Sequence, residues 1–334
     1  MGDQPFVMLS LTFVQFLSLL NLKKKAYKFI SKIINRMGLE EVVTFLIPTL
    51  NERDGIGLVI DEIKSLGFNK IIVVDGNSTD GTAEIAKEKG AKVIYQQGKG
   101  KALAIMTGLK HVDTPYVAVI DGDYTYNPAD VIKALKMMED YDEVIVVRGN
   151  RKNIPLLNRF GNWVITNMFN LLFGTRLKDV LSGFYVLRTN EVKGVNFEAK
   201  GFSIEVAISA YLASQSKRIG EVIGDYRARK GESKLKKIQG LKILFDTILL
   251  AAKYNPVFLI FVVGSVLLLP GIAILSYVAL DYLAYHVFHF VLAFIGFSLF
   301  NVGLISLLLS VLALYLKRME YRLNEKIEGL KRDV

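Results

Sequence analysis

The residues best placed to do chemistry are Asp121 and Asp123, one glycine apart in Val119-Ile120-Asp121-Gly122-Asp123. The apolar run before them, Tyr116 to Ile120, reads as a buried strand. Two acids then stand at the open tip of that strand and repel each other unless positive charge lies between them. A divalent cation meets that need, because hard cations choose oxygen ligands. A cation held there can in turn hold a diphosphate. For an isolated Asp-x-Asp the competing reading is a turn with two solvated acids. Three further segments in this chain tell against it.

Those segments are Pro48-Thr49-Leu50-Asn51-Glu52, Asp75-Gly76-Asn77-Ser78-Thr79-Asp80-Gly81-Thr82 and Gly98-Lys99-Gly100-Lys101. Each follows, or lies close behind, an apolar run. Val42–Ile47, Lys70–Asp75, Ala91–Tyr95, Tyr116–Asp121 and Glu143–Val147 read as strands. Gly57–Leu66, Thr82–Lys89, Lys101–Lys110 and Pro128–Met138 read as helices between them. Such alternation predicts a mostly parallel sheet covered by helices on both faces, with ligands at the carboxyl ends of the strands. The acids and the asparagine fall at those ends. A strand-end carboxylate such as Asp75 can accept hydrogen bonds from a base or ribose. Asp80, just before a helical pattern, suits a structural cap. The Gly98–Lys101 loop opens a helix and can bring amides and ammonium groups to a phosphate; a solvated basic turn is the alternative.

Of the 334 residues, 51% are hydrophobic, and the formal net charge is +10. That charge suits nucleic acid, anionic lipid or phosphorylated substrates. Cysteine is absent, which excludes disulfides, thiolate catalysis and cysteine-held metals. The three histidines leave little for a histidine-based site, since His286 and His289 fall in an apolar region. Val257–Leu280 and Val287–Leu316 contain no charged side chain, and each is long enough to cross a hydrocarbon core of about 30 Å. Pro270 in the first predicts a kink. Lys234, Lys236, Lys237, Lys242 and Lys253 precede the pair, and Lys317 and Arg318 follow it. The positive-inside rule then puts both ends, and the globular domain, in the cytoplasm. This charge beside the membrane makes anionic lipid a sufficient explanation for the basic composition, and no nucleic-acid partner is expected.

The expected organisation is an N-terminal amphipathic or membrane-associated segment (1–40), a catalytic domain (41–230), an amphipathic interfacial helix (231–254), two transmembrane helices (255–318) and a cytoplasmic tail (319–334). The first segment reads as an interfacial or packed helix or, alternatively, as a span. In the third, Leu235, Ile238, Leu241, Phe245, Ile248 and Ala252 recur at helical spacing opposite lysines; a helix packed on the catalytic domain is the alternative.

Taken in order, the Pro48–Glu52, Asp75–Thr82, Gly98–Lys101 and Asp121–Asp123 motifs resemble the GT-A glycosyltransferases of family two. The downstream segments narrow the resemblance: Arg148-Gly149-Asn150-Arg151, Arg159, Asp179-Val180-Leu181-Ser182-Gly183-Phe184 and Arg227-Ala228-Arg229-Lys230-Gly231-Glu232-Ser233-Lys234 look like polyprenyl-phosphate sugar synthases. That family implies an α/β, Rossmann-like nucleotide-diphospho-sugar transferase fold, here with a C-terminal two-helix transmembrane hairpin. It implies Mg2+ or Mn2+ on Asp121 and Asp123. It implies donor nucleotide contacts at Pro48, Leu50, Glu52, Asp75, Asn77, Lys101, Asp121 and Gly122. Arg227, Arg229 and Lys234 would bind the diphosphate, and Arg151, Arg159 and Ser182 the acceptor phosphate. Asp121, Asp123, Arg151 and Arg159 would be the catalytic set. Phe184 is expected against the sugar or lipid.

The implied reaction moves a sugar from UDP-glucose, UDP-N-acetylglucosamine or GDP-mannose to a polyprenyl or dolichyl phosphate in the cell membrane, with inversion. Its nucleophile is an already anionic phosphate, since the second pKa of a phosphate is about 6, so a strong general base is not demanded. Thr125 and Trp163 depart from the pattern expected of a mannosyl enzyme and leave the sugar open. Homo-oligomerisation is left open too. A processive polysaccharide synthase is a competing reading, although no Gln-x-x-Arg-Trp motif is present. A non-catalytic scaffold binding lipid phosphate is another.

Overall fold

The computed structural model describes residues 41–197, 204–231 and 238–332. The segment 1–40 and Lys234 lie outside these described residues. β1 (Val43–Thr49) is buried along its whole length, as a strand covered on both faces must be. It lies between β2 (Ile71–Asp75) and β4 (Tyr116–Val119), parallel to both. β3 (Lys92–Tyr95), β5 (Glu143–Arg148), β6 (Tyr185–Arg188) and β7 (Ile219–Gly224) complete a seven-stranded sheet of order β3-β2-β1-β4-β6-β5-β7. β6 alone runs against its neighbours, β4 and β5. From β1 the chain passes outward to β2 and β3, then returns to β4 on the other side. The crevice between the tips of β1 and β4 is therefore a topological switch point, where open α/β sheets bind ligands.

Two layers of helices fix that crevice. Ile56, Val59, Ile60 and Ile63 of α1 (Arg53–Ser65) recur at helical spacing and are all buried. They join Phe45 and Ile47 of β1 in one core, with Val131, Ala134 and Leu135 of α4 (Val131–Leu135). Leu46 points to the opposite face. There α3 (Lys101–Leu109) comes so close that a Cβ on Gly108 would lie 2.2 Å from Leu46 Cδ1. α2 (Thr82–Glu88) follows β2, α5 (Leu156–Phe173) follows β5, and α6 (Thr189–Val192) and α7 (Ile204–Ser214) follow β6.

The expected strands are all present, within about two residues at their ends. β6 and β7 were not anticipated: β6 is four residues long beside a turn, and β7 carries glycine near each end, which weakens a strand signal. The helix expected over Pro128–Met138 divides into a 3-10 turn, Pro128–Asp130, and the short α4.

The chain divides into two units at Thr247–Ile248. α8 (Ile238–Tyr254) buries Ile243, Thr247, Leu250 and Ala251 and leaves Phe245 and Ile248 of the expected stripe exposed, while Leu235 lies outside the described residues. In the second unit α9 (Pro256–Tyr285) contains Pro270 without ending there. α10 (Phe290–Arg332) continues through the expected span into the C-terminal tail. The apolar stretches Val257–Tyr285 and Phe290–Leu316 are long enough to cross a membrane, and in each an apolar run of 18 residues is only 11% buried, unlike core helices of a soluble protein. The two pack closely through glycine: a Cβ on Gly271 would lie 2.6 Å from the Phe300 nitrogen, and one on Gly303 2.6 Å from the Leu268 nitrogen. Small residues permit such approach in apolar helix pairs.

Candidate active site

The loop after β1 and the loop after β2 are tied together. Asn51 takes a left-handed conformation, φ 51°. Its amide donates to Ser78 Oγ at 2.8 Å, and its Oδ1 accepts from the Thr79 amide at 2.8 Å. Asp75 is fully buried and accepts from the Ser78 amide at 2.8 Å and Ser78 Oγ at 2.6 Å. It shapes the loop that carries the exposed Asn77. Asp80 accepts from the Thr82 amide at 3.0 Å and Thr82 Oγ1 at 2.5 Å, and from the Arg53 amide at 3.1 Å. Burial pushes its pKa up, but these bonds outweigh it and hold the carboxyl below its usual range. Asp80 thus secures the starts of two helices, the structural role expected of it. Leu50 stands exposed at the mouth, while Pro48 is buried in β1.

The tip of β4 follows. α1 begins directly on the Asp-Gly-Asp turn: a Cβ on Gly55 would lie 2.5 Å from the Gly122 carbonyl oxygen. Asp121 Oδ1 accepts from Lys101 Nζ at 2.6 Å. The same ammonium lies 2.5 Å from Glu205 Oε1. Asp121 Oδ2 occupies the space a side chain at 183 would fill, since a Cβ on Gly183 would lie 1.9 Å from it. Asp123 Oδ1 accepts from the Thr125 amide at 3.1 Å and Thr125 Oγ1 at 2.5 Å. Its Oδ2 accepts from Arg229 Nη1 at 2.7 Å, and Arg229 Nη2 donates to Glu52 Oε1 at 2.5 Å. Burial, then the neighbouring charge of Asp121, raises the Asp123 pKa. Lys101 is driven well above its ordinary value although burial works against it, because Asp121 and Glu205 both face it.

The chain after β7 closes over this turn. The Arg227 amide donates to the Thr125 carbonyl at 2.7 Å and the Lys230 amide to the Asp123 carbonyl at 3.1 Å, and Tyr226 pairs with Tyr126 as an antiparallel bridge. Arg227 Nη1 reaches both oxygens of Glu62 at 2.9 Å, its guanidinium 4.8 Å from the Tyr124 ring centroid. Tyr124 OH donates to the same Glu62 at 2.7 Å. Arg227 and Arg229 are therefore both at the site, each held by carboxylates.

The remaining expected residues are less convergent. Ser182 is buried, and its hydroxyl donates to the Val146 carbonyl at 2.6 Å. It builds the turn and does not reach an open surface. Phe184 is fully buried and packs edge-on to Tyr126, so the expected contact of Phe184 with sugar or lipid is incorrect: core packing claims the ring. Asp179 forms a fork with Arg148, at 2.6 and 2.5 Å. Arg159 is exposed on α5, and the side chain of Arg151 lies outside the described residues. Glu62 and Glu205 reach the site from far along the chain, and no local motif gives them their parts; Tyr124 stands in the turn itself, next to Asp123.

Asp121 and Asp123 are oxygen donors of the kind Mg2+ and Mn2+ prefer. Among the described residues no set of three or more His, Asp and Glu comes together to enclose a metal. Two carboxylates completed by phosphate oxygens and water fit such an ion, which is commonly held that way.

A mostly parallel sheet of this order, with an Asp-x-Asp turn at the switch point and arginines folded over it, defines a GT-A glycosyltransferase. Residues 44–190 match Glycosyl transferase family 2, and the chain belongs to that family. It is 32% identical to "Glycosyltransferase AglJ" of Haloferax volcanii over 86% of this chain and 99% of that one. It is 34% identical to the "Dolichyl-phosphate hexose transferase" of the same organism over 58% of this chain and 87% of that one. The resemblance to polyprenyl-phosphate sugar synthases therefore holds. A solved glucosyl-3-phosphoglycerate synthase of Mycobacterium tuberculosis, in complex with Mn2+, UDP and glucosyl-3-phosphoglycerate, shares the fold. It has a TM-score of 0.52 at 21% identity, over 64% of this chain and 80% of that one.

Proposed function

We propose that this chain transfers a hexose from a nucleoside diphosphate sugar to a polyprenyl phosphate at a membrane surface, with inversion at the anomeric carbon. The observation that carries this reading is Arg229 laid across Asp123 and Glu52 at the tip of β4. Its Nε is buried and has no partner among the described residues. A guanidinium turned toward the ligand would offer this donor to a phosphate oxygen in a fixed plane. A divalent cation on Asp121 and Asp123 would neutralise the departing diphosphate. Arg227 and Arg229 share that task from the closing segment, and the loops after β1 and β2 hold the nucleotide.

In the step itself an acceptor phosphate oxygen forms the new bond to the anomeric carbon. The bond to the nucleoside diphosphate breaks, and its electron pair leaves with that group. The phosphate is already anionic, so no residue of this chain need remove a proton. The dolichyl-phosphate hexose transferase among the relatives supports the lipid acceptor, and the solved relative with Mn2+ and UDP supports the cation and donor class. Arg159, with Arg151, remains the proposed acceptor-phosphate pair.

Two apolar helices of spanning length support membrane attachment. α5 adds to it by exposing Leu156, Leu157, Phe160 and Trp163, side chains suited to the headgroup boundary. The lysines before the hairpin and Lys317 and Arg318 after it favour a cytoplasmic catalytic domain. The test is incubation of membranes carrying the full chain with UDP-glucose, UDP-N-acetylglucosamine or GDP-mannose and undecaprenyl or dolichyl phosphate, with mass detection of the lipid. One donor is expected to give a lipid-linked hexose, lost in Asp123→Ala. No product from any donor, or undiminished product from that variant, overturns the proposal.

A further inference from the structure

Glu205 is a buried carboxylate at the start of α7, remote in sequence from every motif of the site, and the transfer step described above gives it no part. It is not isolated: its Oε1 lies 2.5 Å from Lys101 Nζ, which in turn lies 2.6 Å from Asp121 Oδ1. One ammonium is thus shared between two carboxylates, only 14% exposed on its own side chain and 6% on that of Glu205. Nearby, the Tyr185 hydroxyl is buried without a partner among the described residues.

The sharing changes what Asp121 offers. Paired with Lys101 alone, Asp121 would be neutralised, and a cation approaching it would meet no excess charge. With Glu205 on the other side of the ammonium, the three groups carry one surplus negative charge. The position of Lys101 is also fixed from behind, so the ammonium stays on Oδ1. The Lys101 ammonium is thus engaged by carboxylates on two sides.

We propose that Glu205 is a positioning residue. It holds Lys101 as a shared counter-ion, 2.6 Å from Asp121 and 2.5 Å from Glu205, and so leaves a surplus negative charge beside Asp121, and Asp121 in place, for a divalent cation. The inference rests on the reading of Asp121 as a metal carboxylate and assigns Glu205 a role through Lys101 only. It requires that removing both partners together do less harm than removing Glu205 alone.

The experiment measures Mn2+ binding to the full chain in detergent by the loss of the free-ion EPR signal, with UDP present and no sugar donor. Wild type, Glu205→Gln, and Glu205→Gln with Lys101→Met are compared. Glu205→Gln leaves an unshared ammonium on Asp121 and is expected to weaken Mn2+ binding about tenfold, the scale of one unit charge acting across a partly screened site. The double variant restores the surplus charge and is expected within about threefold of wild type by the same argument. A merely structural Glu205 would leave the double variant as weak as the single one.

The inference is overturned if Glu205→Gln binds Mn2+ like wild type, or if Lys101→Met fails to rescue it. Should Glu205→Gln lose its cooperative melting, the double variant against wild type decides the matter, since the neutral pair must still bind. Wild type that binds no Mn2+ sinks both this inference and the assigned cation. The expected pattern together with no lipid-linked sugar removes the proposed function and leaves the role of Glu205 standing.

Discussion

Replacing Arg229 by glutamine should make the catalytic unit depend on a divalent cation for stability. Arg229 bridges Asp123 and Glu52, whose side chains are 8% and 11% exposed. Removing one partner from a buried pair costs about 3–5 kcal/mol. Arg229 itself is 27% exposed, and a carboxylate left alone can take a proton, so a loss of about 2–3 kcal/mol is the better figure. For a unit of this size that lowers the melting midpoint by about 5–10 °C. In wild type a cation must compete with Arg229 for Asp123, and in the variant it need not, so the variant gains more; at a hundred times its Kd a cation returns about 2.7 kcal/mol. The assay is thermal unfolding of the full chain in detergent, read from the catalytic unit's transition, in EDTA and in saturating Mn2+. Arg229→Gln should melt well below wild type in EDTA and approach it in Mn2+. A variant that melts with wild type in EDTA, or that gains no more from Mn2+ than wild type does, refutes the reasoning.

Glu143 is buried, and burial raises its pKa from 4.5 to about 8, with Oε2 lacking a partner among the described residues. Between those values the folded chain binds a proton that the unfolded chain has lost, so stability falls as pH rises through the window, by at most about 5 kcal/mol. Glu143→Gln should flatten that slope in urea midpoints taken at three pH values across the window; an unchanged slope defeats the assignment. Gly183→Ala would drive a Cβ to 1.9 Å from Asp121 Oδ2, and displacing a reacting-site group by about 1 Å can cost about a hundredfold in turnover. A folded Gly183→Ala variant with wild-type kcat would show that the place of Asp121 is not critical. In the hairpin, Gly303→Val should cost about 1–3 kcal/mol through overpacking against Leu268, seen as a lower melting transition for the helical unit with UDP affinity unchanged. Unaltered melting would mean the two helices do not pack through glycine.

The sheet was legible where its residues behave simply. β1, β2 and β4 are continuous apolar runs ending in acids or asparagine, so strand and site appear in one pattern. β6 was not, because four residues after a Ser-Gly-Phe turn give no period, and its reversed direction follows from tertiary pairing with β4 and β5. Asp121, Asp123, Arg227 and Arg229 were legible by type and order. Their partners were not. Glu62 sits among ordinary exposed positions of an amphipathic helix, and Glu205 opens a helix with no motif around it. Ser182 and Phe184 show the converse, since a motif marks the turn they build without showing that both side chains face inward.

Those hidden partners explain why a strongly basic chain has an acidic site. Among the described residues, Asp121 and Glu205 converge on Lys101, and Asp123 and Glu52 on Arg229. A diphosphate entering alone would meet surplus negative charge, in surroundings where charge is poorly screened. A divalent cation held by Asp121 and Asp123 would reverse the sign of the encounter and free Arg229 to turn toward phosphate. On the proposed function the arginines are therefore not idle in the ligand-free protein. Arg229 holds Asp123 and Arg227 holds Glu62, and the segment that carries them, paired backbone to backbone with Asp123 and Thr125, would already be folded over the donor's seat before the donor arrives. Such preorganisation lowers the cost of ordering the site at the moment of transfer.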